Sequence, residues 1–201
     1  MGESKTSMVA IILLAAGKSE RMGENKLLLP LGRKLIIQHT LDNLMGSQAQ
    51  QIIVVLGSKA TEIKEAIGTR NVITVLNPNY ERGMSTSFST GLKLLNNQVK
   101  FVLVALGDQP IITSQTYDRI ITAATNSSHG LIVPTYHGKR GNPIAVSTAY
   151  KDELLKQNGD IGGRELLRVY QSDALEVPVE DEGVVININT KDEYRKHFQA
   201  N

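Results

Sequence analysis

Met8-Val9-Ala10-Ile11-Ile12-Leu13-Leu14-Ala15-Ala16-Gly17-Lys18-Ser19-Glu20-Arg21-Met22-Gly23-Glu24-Asn25-Lys26 runs from an unbroken apolar stretch straight into a glycine-containing loop with three cations, Lys18, Arg21 and Lys26. An apolar run of this length reads as a strand buried on both faces. The small residues Ala15, Ala16 and Gly17 let backbone N–H groups approach an anion closely, and the three cations supply positive charge around it. The combination suits a triphosphate.

Two familiar phosphate loops are excluded. Gly17-Lys18-Ser19 imitates the end of G-x-x-x-x-G-K-[ST], but the first glycine of that loop would fall at Ile12, inside the strand. G-x-G-x-x-G is missing as well, since five residues without a glycine separate Gly17 from Gly23. Read as L-A-A-G-x-S-x-R-M-G-x-x-K, the stretch instead resembles the signature of the MobA-like NTP transferases, which include the molybdenum cofactor guanylyl- and cytidylyltransferases.

The 201 residues, 22 of them Lys or Arg and 20 Asp or Glu, fit one α/β domain spanning 1–201. With no cysteine, a disulfide framework and thiolate metal ligation are ruled out. A net charge of +2 and 4% aromatic residues argue against nucleic-acid binding. The N-terminal apolar run is too short for a membrane span and lacks a cleavage region, so the expectation is a soluble cytoplasmic protein.

Further apolar runs at Gln51–Leu56, Val72–Leu76, Phe101–Leu106, Gly130–Val133, Ile144–Ser147 and Val184–Ile188 predict strands. Helical spacing is found at Leu35–Met45, Thr61–Ile67, Ser85–Leu95, Ser114–Ala124 and Gly162–Val169, with Ser85 and Ser114 as N-caps. The alternation predicts right-handed crossovers in a three-layer α/β/α, Rossmann-like fold with a mixed, mostly parallel sheet of the nucleotidyltransferase type. Ligand is then expected beyond the carboxyl ends of the strands, where Gly17 and Gly107 meet. The glycines and proline of Tyr136-His137-Gly138-Lys139-Arg140-Gly141-Asn142-Pro143 predict an excursion from the sheet, part of a substrate-binding span over 134–170.

The resemblance extends to Leu106-Gly107-Asp108-Gln109-Pro110, whose aspartate in related enzymes holds the catalytic metal. A carboxylate at a strand end suits Mg²⁺, which keeps most of its waters and bridges phosphate oxygens. By the same likeness Asn189, or Asn187, takes the second metal position where cytidylyltransferases show aspartates, although Thr190 and Glu193 also read as a helix capping box. Tyr80–Leu92 resembles the G-M-x-x-S-x-x-x-G-L element, which assigns Gly83 and Ser87 to the base. Arg140-Gly141-Asn142-Pro143 resembles R-G-H-P, with asparagine in place of histidine, and the segment with Asp160, Gly162 and Arg164 resembles G-D-x-G-A-R. The four histidines show no metal spacing.

What the resemblance implies is CMP transfer from CTP to the terminal phosphate of molybdopterin, with Ala16 favouring CTP over GTP. Arg21, Lys26 and Asp108 are then catalytic. Leu14, Ala15, Ala16, Gly17, Lys18, Ser19, Lys26, Gly83, Ser87 and Asp108 bind the nucleotide, and Gln109, Pro110, Arg140, Gly141, Asn142, Pro143, Asp160, Gly162 and Arg164 bind the pterin. Mg²⁺ sits on Asp108 and Asn189, and a molybdenum hydroxylase such as xanthine dehydrogenase is a possible recipient. The alternatives are a related transferase using GTP or a sugar or polyol phosphate, and a noncatalytic molybdenum cofactor carrier for such a hydroxylase.

Overall fold

In strand β1 (Met8–Ala15) alternate side chains enter two different cores, as a strand's two-residue period dictates for a sheet covered on both faces. Val9, Ile11, Leu13 and Ala15 join one apolar cluster, and Ala10 and Ile12 the other. The computed structural model describes residues 8–18, 24–156, 167–188 and 190–198.

Parallel to β1 on one side runs β4 (Gln51–Leu56), followed by β5 (Ile73–Leu76). On the other side lies β6 (Val99–Leu106), also parallel. The hairpin β2 (Pro30–Leu31) and β3 (Lys34–Leu35) stands apart from the main sheet. Beyond β6 come β9 (Ile144–Ser147), antiparallel to both neighbours, then β7 (Leu131–Tyr136) with the short β8 (Lys139–Arg140), and at the edge β10 (Ala174–Pro178). The sheet is mixed and mostly parallel, as expected.

Helices α1 (Ile36–Met45), α2 (Ala60–Ile67) and α4 (Ser114–Asn126) cover one face. From α1, Ile36, Ile37, Leu41 and Leu44 form the apolar stripe; α2 adds Ile63 and Ile67, and α4 adds Tyr117, Ile120 and Ile121. The opposite face is covered by α3 (Met84–Leu92), through Phe88 and Leu92, and by α5 (Lys151–Lys156), through Leu154. This is the three-layer arrangement. A last helix, Lys191–Phe198, packs Tyr194 into the α1 side, and its hydroxyl donates to the Pro30 carbonyl. Among the described residues no helix is long and apolar enough to cross a membrane.

Several expectations are corrected. Val184–Ile188 is not a strand: Glu182–Val185 is a 3₁₀ turn capped by Asp181, whose Oδ1 accepts from the Gly183 N–H at 2.9 Å. The Gln109 amide nitrogen donates to the carbonyls of Gly183, Val184 and Ile186, acceptors that a strand would have offered to a neighbour. Ala174–Pro178 instead forms the edge strand, parallel to β7. Within the span 134–170, residues 134–136 belong to β7, Lys139–Arg140 form β8 paired with it, and Ile144–Ser147 form β9, while 148–156 are helical and 157–166 lie outside the described residues. Helix α4 is capped by Thr113, whose Oγ1 accepts from the Thr116 N–H, and α3 begins at Met84 after Gly83. The start of the helix expected from Gly162 lies outside the described residues, and residues 167–169 are helical.

Asp42 of α1 ties the neighbouring segments together. Its Oδ2 accepts from Lys34 Nζ at 2.7 Å and its Oδ1 from Arg70 Nε at 2.9 Å. Burial raises its pKa, but the hydrogen bonds and charges of Arg70 and Lys34 outweigh it and hold the carboxyl below 3.8. A depressed carboxylate stabilises the fold fully above the unfolded value and loses that contribution as pH falls through the folded one. Asp42→Asn should therefore lower the thermal midpoint at neutral pH, with the gap to wild type closing on acidification. A gap that is constant with pH would exclude the ion pairs as its source.

Candidate active site

From β1 the chain goes outward through β4 and β5, then returns to β6 on the other side of β1. The loops leaving β1 and β6 thus diverge from adjacent strand ends, the position where open α/β sheets bind ligands. Up to that point they are joined: the Gly107 N–H donates to the Leu14 carbonyl at 3.1 Å.

In the first loop Ala15 and Ala16 are buried, and the Ala16 carbonyl accepts from the Ser58 N–H at 3.0 Å. At Gly17 the backbone has no left-handed φ, and an added Cβ would meet nothing within 4 Å. Nothing among the described residues requires glycine there; the open space suits an approaching anion. Lys18 Nζ lies 2.7 Å from Glu81 Oε1, and this ammonium holds the Glu81 carboxyl below its ordinary range. Asn25 Oδ1 accepts from the Leu27 N–H at 3.0 Å, capping the 3₁₀ turn Lys26–Leu28 and fixing where Lys26 departs from the backbone.

Opposite stands the loop after β6. Asp108 is 8% exposed, and its carboxylate is paired with the Lys26 ammonium. Thr40 of α1, fully buried, donates its hydroxyl to the Gly107 carbonyl at 3.0 Å, and the Asp108 carbonyl accepts from the Ile188 N–H at 3.4 Å. Gln109 is only 1% exposed and its amide serves the 182–185 turn, while Pro110 is buried and its carbonyl accepts from Asn43 Nδ2 at 3.0 Å. These two candidate substrate residues therefore back the site instead of facing it.

On the β4–β5 side, Gly83 is the N-cap of α3. Ser87 is 4% exposed, and its Oγ accepts from Asn77 Nδ2 at 2.9 Å, as does Thr86 Oγ1. Beyond β6, a cleft of about 490 Å³ is lined by Arg140, Gly141, Asn142, Arg168, Val184 and Asn187 among others. Gly17, Lys26 and Asp108 do not line it. Arg140 is exposed and its Nε lies 2.6 Å from Glu176 Oε1; Asn142 donates its N–H to the Val184 carbonyl at 2.9 Å, and the Asn142–Pro143 bond is cis. The buried Asn187 Oδ1 has no hydrogen-bond partner among the described residues.

The geometry thus brings together Leu14, Ala15, Ala16, Gly17, Lys26 and Asp108, and separately Arg140, Gly141 and Asn142. Ser19, Arg21, Asp160, Gly162, Arg164 and Asn189 lie outside the described residues. Thr190 and Glu193 do form the reciprocal capping box. Asn25, Thr40, Asn77 and Glu81 were missed by sequence reasoning; only Asn25, a capping residue one position before Lys26, carried a local signal. Among the described residues no group of three or more His, Cys, Asp or Glu could hold a metal. Asp108 fits a hard ion that is otherwise held by water and phosphate, since its carboxylate already receives one cation.

Fold and arrangement define a nucleotidyltransferase. Residues 11–176 match the MobA-like NTP transferase domain, and the chain belongs to that family. It is 27% identical over 189 residues to the molybdenum cofactor cytidylyltransferase of Escherichia coli K12, covering 94% of each chain. With the nicotine blue oxidoreductase of Paenarthrobacter nicotinovorans it shares 24% identity over 84% of this chain and 85% of that one. The crystal structure of Rv0371c from Mycobacterium tuberculosis H37Rv superposes with a TM-score of 0.88 at 28% identity, covering 97% of this chain and 99% of the other. A manganese complex of Rv0371c shares the fold, with a TM-score of 0.82 at 24% identity over 96% of this chain and 100% of that one.

Two glycines separate ligand from scaffold. A Cβ at Gly141 would lie 2.4 Å from the Val184 carbonyl oxygen, whereas one at Gly17 would lie in open space. In chemical denaturation Gly141→Ala should cost roughly 1–3 kcal/mol. Gly17→Ala should stay within about 0.5 kcal/mol of wild type yet weaken nucleoside triphosphate binding in a calorimetric titration. Unchanged binding by Gly17→Ala would remove that residue from the phosphate site.

Proposed function

We propose that the chain transfers CMP from CTP to the terminal phosphate of molybdopterin and releases pyrophosphate. The observation that carries this reading is the first βα loop, with open space over Gly17 and the Lys26 ammonium, set against Asp108 at the divergence of β1 and β6. Similarity to the E. coli cytidylyltransferase along 94% of the chain supports the acceptor, and Ala16, through the family resemblance, supports CTP.

An oxygen of the acceptor phosphate forms the new bond to the α-phosphorus, and the bond from that phosphorus to the oxygen bridging to the β-phosphate breaks. The acceptor is already anionic at neutral pH, so no general base is required. The work is electrostatic: two anions must be brought together and charge developing on the leaving pyrophosphate must be offset. Loop amides around Ala16 and Gly17 orient the phosphates, and Lys18, Lys26 and Arg21 neutralise them. Mg²⁺ on Asp108, with Asn189 as a second ligand, would add Lewis-acid charge at the phosphate oxygens; the manganese complex of Rv0371c supports a divalent ion in this fold. Gly83 and Ser87 would meet the base. The cleft with Arg140, Gly141 and Asn142 would take the pterin, the family resemblance adds Asp160, Gly162 and Arg164 to that role, and the product would pass to a molybdenum hydroxylase.

A second reading, redox work in the same domain, rests on the similarity to nicotine blue oxidoreductase. The missing G-x-G-x-x-G weighs against dinucleotide binding by the first loop.

Purified protein incubated with Mg²⁺, each nucleoside triphosphate and molybdenum-loaded pterin should yield a CMP adduct by mass analysis, with CTP preferred. Product from a sugar or polyol phosphate alone would overturn the pterin assignment. Folded Asp108→Ala should release pyrophosphate roughly 10²–10³-fold more slowly. Undiminished turnover would remove Asp108 from the mechanism.

A further inference from the structure

Two cations of the first loop are matched by carboxylates from other elements. Lys18 is paired with Glu81, and Lys26 with Asp108. The two pairs differ in consequence. Lys18 and Glu81 have side chains 41% and 60% exposed, where water and salt weaken attraction to little; those of Lys26 and Asp108 are 18% and 12% exposed, where it is weakened much less.

The backbones beneath the second pair are fixed. Lys26 opens a turn capped by Asn25 and anchored by the buried Leu27, and Asp108 follows Gly107, whose N–H is bound to Leu14 and whose carbonyl is bound to Thr40. The four-carbon lysine stem can redistribute charge without moving the fold. The carboxylate that the proposed reaction gives to a divalent ion already accepts, through Oδ2, from the Lys26 ammonium. A divalent ion and that ammonium cannot both sit against Oδ2 without strong repulsion.

We infer that Lys26 stands in for the divalent ion on Asp108 until a triphosphate draws it away, so that the ion enters as its complex with the nucleotide and not ahead of it. This rests on the reading of Asp108 as the ion's seat. The exchange conserves charge. As phosphate oxygens arrive the ammonium moves to them, and the vacated carboxylate takes the cation that came with them. Lys18 and Glu81 separate as well but do not compete for the ion, because Glu81 is not at its seat.

The test is Mn²⁺ titration of nucleotide-free protein, followed by loss of the paramagnetic signal of the free ion. Lys26→Met and Lys26→Gln should bind Mn²⁺ about tenfold more tightly than wild type, because the resident competitor is gone. Lys18→Met removes the same charge from the same loop and should stay within about twofold. Thermal melts establish that each variant is folded, and either Lys26 variant suffices. Equal or weaker Mn²⁺ affinity in the Lys26 variants overturns the exchange, as does an equal gain in Lys18→Met, which would reduce the effect to general charge. Adding Asp108→Asn to Lys26→Met should abolish the gain in Mn²⁺ affinity. If the double variant keeps the gain, the seat itself is wrong and the proposed use of Asp108 in catalysis fails with it.

Discussion

Two adjacent parallel strands end together, and their chains must then part. Leu14 and Leu106 are paired in the sheet, and one hydrogen bond further on, from the Gly107 N–H to the Leu14 carbonyl, the backbone hydrogen bonding between the two loops ends among the described residues. Beyond that bond the two backbones can no longer satisfy one another, and their polar groups need other partners. On the β6 side Thr40 takes the Gly107 carbonyl; on the β1 side Ser58 takes the Ala16 carbonyl. The gap between Gly17 and Asp108 follows from the topology, in which β4 and β5 lie on one side of β1 and β6 on the other.

What could be read from the residues follows the strength of their local constraint. Strands β1, β4 and β6 are buried on both faces, so burial alone dictates a nearly continuous apolar run, and a reader meets that run directly. Strand β10 lies at an edge with Glu176 at its centre and a proline at its end, leaving little apolar signal. Val184–Ile188 has the composition of a strand, and both Val184 and Ile188 are fully buried, yet a single side chain 75 residues away in sequence claims its carbonyls. That long-range satisfaction of backbone groups cannot be read from the segment. The site divides in the same way: Gly17, Lys26 and Asp108 are legible because motif spacing encodes them, whereas Asn77 and Glu81 act across distances that no motif records.

Charge is distributed on the same plan. Overall the chain is almost neutral, with a formal net charge of +2, so attraction for a polyanion has to be local. Concentrating cations in one loop invites repulsion among them. Glu81 and Asp108 relieve it from two other elements, the turn before α3 and the end of β6. Of the two, the partly buried pair has the larger effect on stability, since exposed pairs are worth only about 0–1 kcal/mol.

The two halves of the site meet at one peptide group. The Val184 carbonyl accepts from Gln109, next to Asp108, and from the Asn142 N–H in the loop at the far cleft; Gly141 lies close enough against it to exclude a side chain. Gln109 is spent on this turn, with its amide nitrogen shared among three carbonyls and its Oε1 buried without a partner among the described residues. A buried acceptor left unmatched is costly, and a scaffold tolerates it only where the surrounding packing over-determines the geometry. A shift of the 182–185 turn towards or away from the cleft therefore moves Asn142 and Gln109 together. The loop bearing the carboxylate and the cleft beyond β6 share one anchoring peptide group.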